Sequence, residues 1–247
     1  MIEVHPLTQH AEFAEAVQLQ QTIWGFEEIE LLPVRLFVTA TKVGGQAFGA
    51  FDGARMVGFC LAIPGIKPPE KVYLHSHMLG VLKDYRDHGV GRMLKLAQRE
   101  DAIRRGIGLI EWTFDPLEIK NAYFNMERLG AIVRRFVFNQ YGTTSSHLHG
   151  GLPTDRCFAE WHVNSDRVEA ILAGRQPERP PDYSIVARIE VPADIYQIKE
   201  NDVPRAREIQ KRVSGALHEH LSKGLAVTGF ERTPETGTYL LTTWDSK

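Results

Sequence analysis

Cysteine is scarce in this sequence: 247 residues contain two, Cys60 and Cys157. Neither has a nearby partner, so no CxxC metal pair and no disulfide framework is spelled out, and the two read as buried thiols acting as small hydrophobes. Long apolar runs are also missing. No stretch approaches the roughly 18 to 20 residues that cross a bilayer, and the start, MIEVHPLTQHAEF, has no basic segment followed by an apolar one. The expectation is a cytoplasmic protein with no membrane partner. A basic excess is absent as well: 29 Lys and Arg stand against 31 Asp and Glu, a net charge of −2. Surfaces built to neutralise phosphate backbones carry a clear positive excess, so nucleic acid is not an expected partner. With 43% hydrophobic and 24% charged residues, the chain has the balance of an ordinary globular protein.

What is present is an alternation of helical and strand periodicities. Phe13, Val17, Gln20 or Gln21, and Trp24 recur at spacings of three and four, with Thr8 placed as an N-cap, which predicts a helix over residues 9 to 24. GQAFGAFDGARMVGFCLAI predicts two strands folded about Asp52-Gly53, and KVYLHSHMLGVL a long strand after a proline-bearing loop. Val90, Met93, Leu94 and Ala97 form one helical stripe that Gly106 stops. A strand at 107–114, a helix from Lys120 to Leu129 with Gly130 as its C-cap, and a strand in AIVRRFVFNQY follow. This order predicts an α/β (α+β) class with helices packed on a sheet. Composition shifts at TTSSHLHGGLPTD and GRQPERPPDY divide the chain into 1–150, a connecting segment at 151–182, and a β-α-β-β piece at 183–247 expected to pack on the first domain, with Asp202 capping its helix.

The most informative segment is Tyr85-Arg86-Asp87-His88-Gly89-Val90-Gly91-Arg92, between a strand and a helix. Its glycines allow close approach of a ligand, and the helix that opens there aims unpaired N–H groups and a positive dipole end at the loop. A phosphate group suits such a cradle. No third glycine follows for a dinucleotide fingerprint, and no GKS or GKT makes it a P-loop.

Arg86-Asp87-His88-Gly89-Val90-Gly91 resembles the R/Q-x-x-G-x-G/A motif of the GNAT N-acetyltransferase superfamily, after the fourth strand and opening the third helix as in that family. Asn121-Ala122 with Arg128-Leu129-Gly130 is similar to the family's N-x-x-A and L-G-F segment. LHSHMLGV, EWTFDPL and NAYFN resemble an uncharacterised bacterial branch of predicted acetyltransferases, and the likeness extends over residues 1 to 141. It implies a mixed, mostly antiparallel twisted sheet flanked by helices. It also implies acetyl-CoA as acyl donor, its pyrophosphate on the amides around Asp87, His88, Gly89, Val90, Gly91 and Arg92, beside Arg86. The pantetheine arm would pair with Leu79, Gly80 and Val81, and Asn121 and Phe124 would lie along its far side.

Members of the family commonly take the amine's proton with a Glu on strand four or five. Here the strand-four position holds a histidine: His75 and His77 share a strand face, and His77 is the first candidate base, with a hydrogen-bonded cleft histidine as the alternative. Glu111 is the second candidate, with an exposed or ion-paired carboxylate as its alternative. The tyrosine that often protonates the CoA thiolate is replaced by Met126; Tyr123 is nearby but turned away on the helix, and Ala131 replaces the family's phenylalanine. Six histidines form H-x-H pairs at 75/77, 147/149 and 218/220, and with no third ligand spaced to join them no metal site is expected. The reading is an N-acetyltransferase acting on an unknown small-molecule amine by direct attack in a ternary complex, and a homodimer is compatible with it. The alternative is a non-catalytic acyl-CoA-binding or sensing protein, and basic residues at 134–135 and 205–212 read as a solvated face. The last hundred residues exceed what a GNAT core needs; they suggest a degenerate second half or a lid over the acceptor pocket.

Overall fold

The computed structural model describes residues 1–142, 151–177 and 184–244. The chain divides into two compact units, and the division falls between Glu111 and Trp112.

The first unit begins with a strand not read from the sequence, β1 (Ile2–Pro6), followed by helix α1 (His10–Trp24). Glu12, not Thr8, closes the start of α1: its carboxylate accepts from the N–H groups of Thr8 and Gln9 at 2.7 and 2.8 Å. A further helix not read from the sequence, α2 (Val34–Lys42), precedes the hairpin of β2 (Gln46–Asp52) and β3 (Arg55–Lys67), which turns at Gly53 as the Asp-Gly pair predicts. Then come β4 (Lys71–Val81), helix α3 (Val90–Arg104) and β5 (Leu109–Phe114). The strands are ordered β1-β2-β3-β4-β5, antiparallel until the last pair, β4–β5, which is parallel. Phe13, Phe37 and Phe59 cluster with centroids 6.0 Å apart, and Trp24 meets the edge of Phe59 at 5.9 Å. These rings bury α1 and α2 against β3. Leu94 of α3 is fully buried in the same unit.

The second unit holds α4 (Ile119–Tyr123), a π-helical turn over Phe124–Arg128, β6 (Ile132–Val137), β7 (Arg156–His162), α5 (Asp166–Leu172), β8 (Ala187–Pro192), α6 (Ile195–Asn201), α7 (Val203–Ser222), β9 (Leu225–Arg232) and β10 (Thr236–Thr243). Its strands are ordered β7-β6-β9-β10-β8. The segment at 151–182 is therefore no simple connection. It supplies β7, whose residues 156–161 are all buried and so show no polar alternation, and α5, capped by Ser165. Because β6 pairs with both β7 and β9, residues 132–162 belong with the C-terminal strands, and the unit boundary lies inside β5 instead of near 150. The C-terminal piece has two helices, α6 and α7, where one was expected; Asp202 does cap α7, accepting from Arg205 N–H at 3.0 Å. Trp112 and Trp161 meet edge to face at 6.0 Å, and Trp161 Nε1 donates to Leu129 O at 2.7 Å where the π turn ends. Cys60 and Cys157 are both buried, one in each unit, and burial pushes both thiols up, Cys60 to about 12.

Candidate active site

The first unit gathers the candidate residues around β4. β4 follows the register of β3 until a bulge between Leu61 and Ala62, where Met78 and Ser76 take successive partners and His77 is the extra residue. A bulge resets the alternation of side chains. His75 and His77 stay on one face with ring centroids 6.1 Å apart, as their spacing predicts. Beyond the bulge, Leu79 and Val81 face α3: a Cβ placed on Gly91 of α3 would meet Leu79 Cδ2 at 3.6 Å and Val81 Cγ2 at 4.0 Å. Gly80 faces α1, where a Cβ would meet Trp24 at 2.7 Å and Ile23 at 2.8 Å, so a larger residue would have to displace those side chains. The Leu79–Val81 stretch is thus a strand edge beside the opening turn of α3.

The loop from Arg86 to Gly89 is exposed and its conformation is unusual. Asp87 and Gly89 both have positive φ, +62° and +81°. For Gly89 this is the reason for glycine, since side chains rarely adopt that region, and the space around its Cβ position is open. Gly91 has no such requirement; its substituent would make ordinary contacts with Leu79 and Val81. The first bond of the α3 ladder runs from Met93 N–H to Gly89 O at 3.0 Å, so the amides of Val90, Gly91 and Arg92 precede the ladder at the positive end of a 15-residue helix. No acidic residue stands in that first turn. Arg86 Nε donates to Val81 O at 3.1 Å and ties the loop to the end of β4, while Tyr85 OH donates to Asp52 at 2.9 Å and ties it to the β2–β3 turn.

Glu111 is brought beside His75 by the parallel β4–β5 register. It is 1% exposed and forms an ion pair with Lys67 from the end of β3, so of the two alternatives the carboxylate is paired and inward. The Lys67 ammonium also stands 4.9 Å from the centre of the Tyr73 ring. Lys67, Tyr73, His75, His77 and Glu111 therefore line one face. Lys67 went unread because its contact spans 44 positions and depends on the register of two strand pairs. Crowding around the His77 ring lowers its pKa below the ordinary histidine value by desolvation, although its edge is open to water. That keeps the imidazole neutral at pH 7.

Under β4, on the α3 side, is a buried polar group the sequence did not signal. Lys95 is 3% exposed, donates to Ser76 Oγ at 2.8 Å, and is lowered by burial to about 7, a fall that the neighbouring Cys60 partly offsets. Ser76 in turn donates to Gln98 Oε1 at 3.0 Å.

The remaining candidates lie in the second unit. Asn121 is exposed on α4 and Phe124 is half-buried in the π turn. Tyr123 places its ring 5.6 Å under the Arg232 guanidinium, and Met126, at the position expected for an acid, is fully buried. Of the histidine pairs, 147/149 lies outside the described residues, and the His218 ring lies tilted beside Phe138 with centroids 5.1 Å apart. Among the described residues no three His, Cys, Asp or Glu side chains gather where they could hold one metal ion, and no helix is long and apolar enough to cross a membrane. The second unit holds one carboxylate between two basic side chains: Glu160 accepts from Arg134 at 2.5 Å and stands 3.6 Å from His162. Burial alone would raise the Glu160 carboxyl, but His162 and Arg134 hold it at about 2.

No protein-family model matches this chain, and no curated protein does. Solved structures do. The aminoglycoside 6'-acetyltransferase type Ii is 18% identical, with 66% of this chain covering 98% of that one at a TM-score of 0.53. The NatC complex bound to Gag peptide and CoA gives 17%, 65%, 98% and 0.52 for the same quantities. A GNAT-family protein from Desulfovibrio desulfuricans gives 13%, 66%, 99% and 0.52. At these identities the likeness is one of architecture. This chain has the fold of the GNAT acetyltransferases, with about a third of its length beyond the part that matches.

Proposed function

We propose that this protein is an acetyltransferase that takes acetyl from acetyl-CoA and passes it to a small-molecule primary amine by direct attack in a ternary complex. One observation carries the reading: the Arg86–Arg92 loop, left-handed at Asp87 and Gly89, opens α3 beside the C-terminal end of β4. The amides of Asp87 to Arg92 would hold the pyrophosphate, and Leu79 to Val81 would present strand hydrogen-bonding groups to the pantetheine arm. The fit is favourable on this structure's own terms, because the space beside Gly89 is open and the helix turn carries no competing carboxylate. Acetyl-CoA supplies the activated thioester; the chain supplies position, a neutral imidazole at His77, and the carboxylate of Glu111. The CoA bound in the NatC complex supports the donor, while one fold neighbour is an aminoglycoside acetyltransferase and another is bound to Gag peptide, which leaves the acceptor to this chain's own face.

The test is release of free CoA thiol when acetyl-CoA is mixed with a panel of primary amines. Turnover above the buffer rate, lowered at least tenfold in His77→Ala, is the expected result. A second reading, acyl-CoA binding without transfer, is favoured by the fully buried Met126 where a phenol would be the acid. Binding of acetyl-CoA with no turnover on any amine would select it.

A further inference from the structure

The face that holds Glu111 already contains an amine. β4 pairs with β5 through Leu74–Ile110 and His75–Glu111, and among the described residues no strand pairs with that edge of β4 beyond His75. A carrier held at the Arg86–Arg92 loop and extended along the open edge runs back from Val81 to Ser76, ~17 Å at about 3.3 Å per residue. Its reactive end then arrives next to His75 and Glu111. The group in place there is the Lys67 ammonium, paired with the 1% exposed Glu111 and clipped over the Tyr73 ring, with 36% of its own side chain open to solvent.

We propose that the protein acetylates its own Lys67, so that this lysine is an intramolecular acceptor for the acetyl group. The inference rests on the acetyl-CoA reading given above. Glu111 takes one proton from the ammonium and leaves a neutral amine beside the thioester carbonyl. The nitrogen lone pair forms the new N–C bond and the C–S bond breaks. The second proton leaves the nitrogen for the CoA thiolate, so that the products are the Lys67 acetamide and free CoA, with the Glu111 proton returned to water. Two other surface lysines lack this arrangement: Lys71, the cross-strand neighbour of Lys67, is exposed at the start of β4, and Lys223 is 62% exposed on an ion pair with Glu219. Acetylation also removes the positive charge that neutralises Glu111, which changes the charge the same face offers to any diffusible amine.

The experiment uses the full chain and trideuteroacetyl-CoA, with peptide mass spectrometry of every lysine over time and a parallel thermal melt with and without the cofactor. The expected result is labelling of Lys67 at least tenfold faster than Lys71 and Lys223, with a rate that saturates in acetyl-CoA and does not change over a tenfold range of protein concentration. Glu111→Gln is expected to slow it at least tenfold. Should that variant not fold, Gly89→Glu is expected to abolish the selectivity for Lys67 while leaving chemical labelling of Lys71 and Lys223 as it was. If acetyl-CoA raises the melting temperature but Lys67 labels no faster than the surface lysines, the self-acetylation proposal falls and the cofactor reading stands. If acetyl-CoA neither stabilises the protein nor labels Lys67, both fall.

Discussion

The substitution Lys95→Met removes an ammonium from beneath β4 while keeping most of the side chain's volume. Lys95 is 3% exposed and lowered from 10.5 to about 7, chiefly by desolvation. At ~1.36 kcal/mol for each pH unit, keeping that amine buried costs folding roughly 5 kcal/mol once the pH is below 7. The variant gives back about 1 kcal/mol by losing the bond to Ser76 Oγ, 2.8 Å in the wild type, so a net gain on the order of 2–4 kcal/mol is expected at pH 6. The sign of the pH dependence follows from proton counting. Between about 7 and 10.5 the unfolded lysine carries a proton that the folded one does not, so wild-type stability rises with pH across that window. The thioether of the variant does not titrate, and the gap between the two proteins therefore closes as pH rises toward 10.5. Urea unfolding of both at pH 6, 7.5 and 9 reads this directly. A variant less stable than wild type at pH 6, or a gap that does not change with pH, refutes the reasoning.

Three further outcomes follow from charges placed by the fold. The His77 imidazole, lowered by desolvation, should titrate by NMR with a midpoint below 6.5, and stability linked to it is present above 6.5 and is lost as pH falls toward that midpoint; a midpoint at or above 6.5 counts against the crowding. Glu160→Gln should cost about 1–2 kcal/mol at pH 7 after allowing for partial solvent screening, and the deficit should fade as pH drops from about 4.5 toward about 2, where the wild-type carboxyl takes up its proton; a deficit unchanged in acid contradicts the Arg134 and His162 pairing. Lys199 donates to Asp115 at 2.9 Å and Glu118 at 3.2 Å, and burial would depress it were those carboxylates not there to raise it above 10.5. Lys199→Ala should therefore cost about 3 kcal/mol in urea unfolding, because the buried Asp115 and the partly buried Glu118 lose their cation, and a loss under 1 kcal/mol would show that water takes its place.

The elements legible in the sequence are those with a clear period or a clear punctuation mark. The Asp52-Gly53 hairpin is marked by its turn dipeptide between two apolar runs, and the Val90-Met93-Leu94-Ala97 stripe is bounded by glycines at both ends. β1 ends in a proline and is mostly exposed, α2 is only nine residues long and rich in β-branched residues, and β7 is buried on both faces, so none of the three carries a long pattern of its own type. The loop at 86–92 was readable because its glycines and the following stripe are contiguous. The Lys67–Glu111 pair and the Lys95–Ser76 contact were not, since both depend on strand register and on which face follows the bulge at His77. Met126 was noted as a departure, and its complete burial, with Tyr123 turned to Arg232, gives that departure a physical form.

The central claim is that the loop opening α3 binds the phosphates of acetyl-CoA. Calorimetric titration of acetyl-CoA into wild type and Gly89→Glu tests it most directly, because the open space at Gly89 admits the new side chain and places a carboxylate in the cradle. The strained φ of +81° should cost the variant about 1 kcal/mol, a melting shift of a few degrees that leaves it folded. Saturable one-to-one binding to the wild type, weakened at least tenfold in the variant, is the predicted result. Equal affinity in both proteins, or no binding to the wild type, would contradict it.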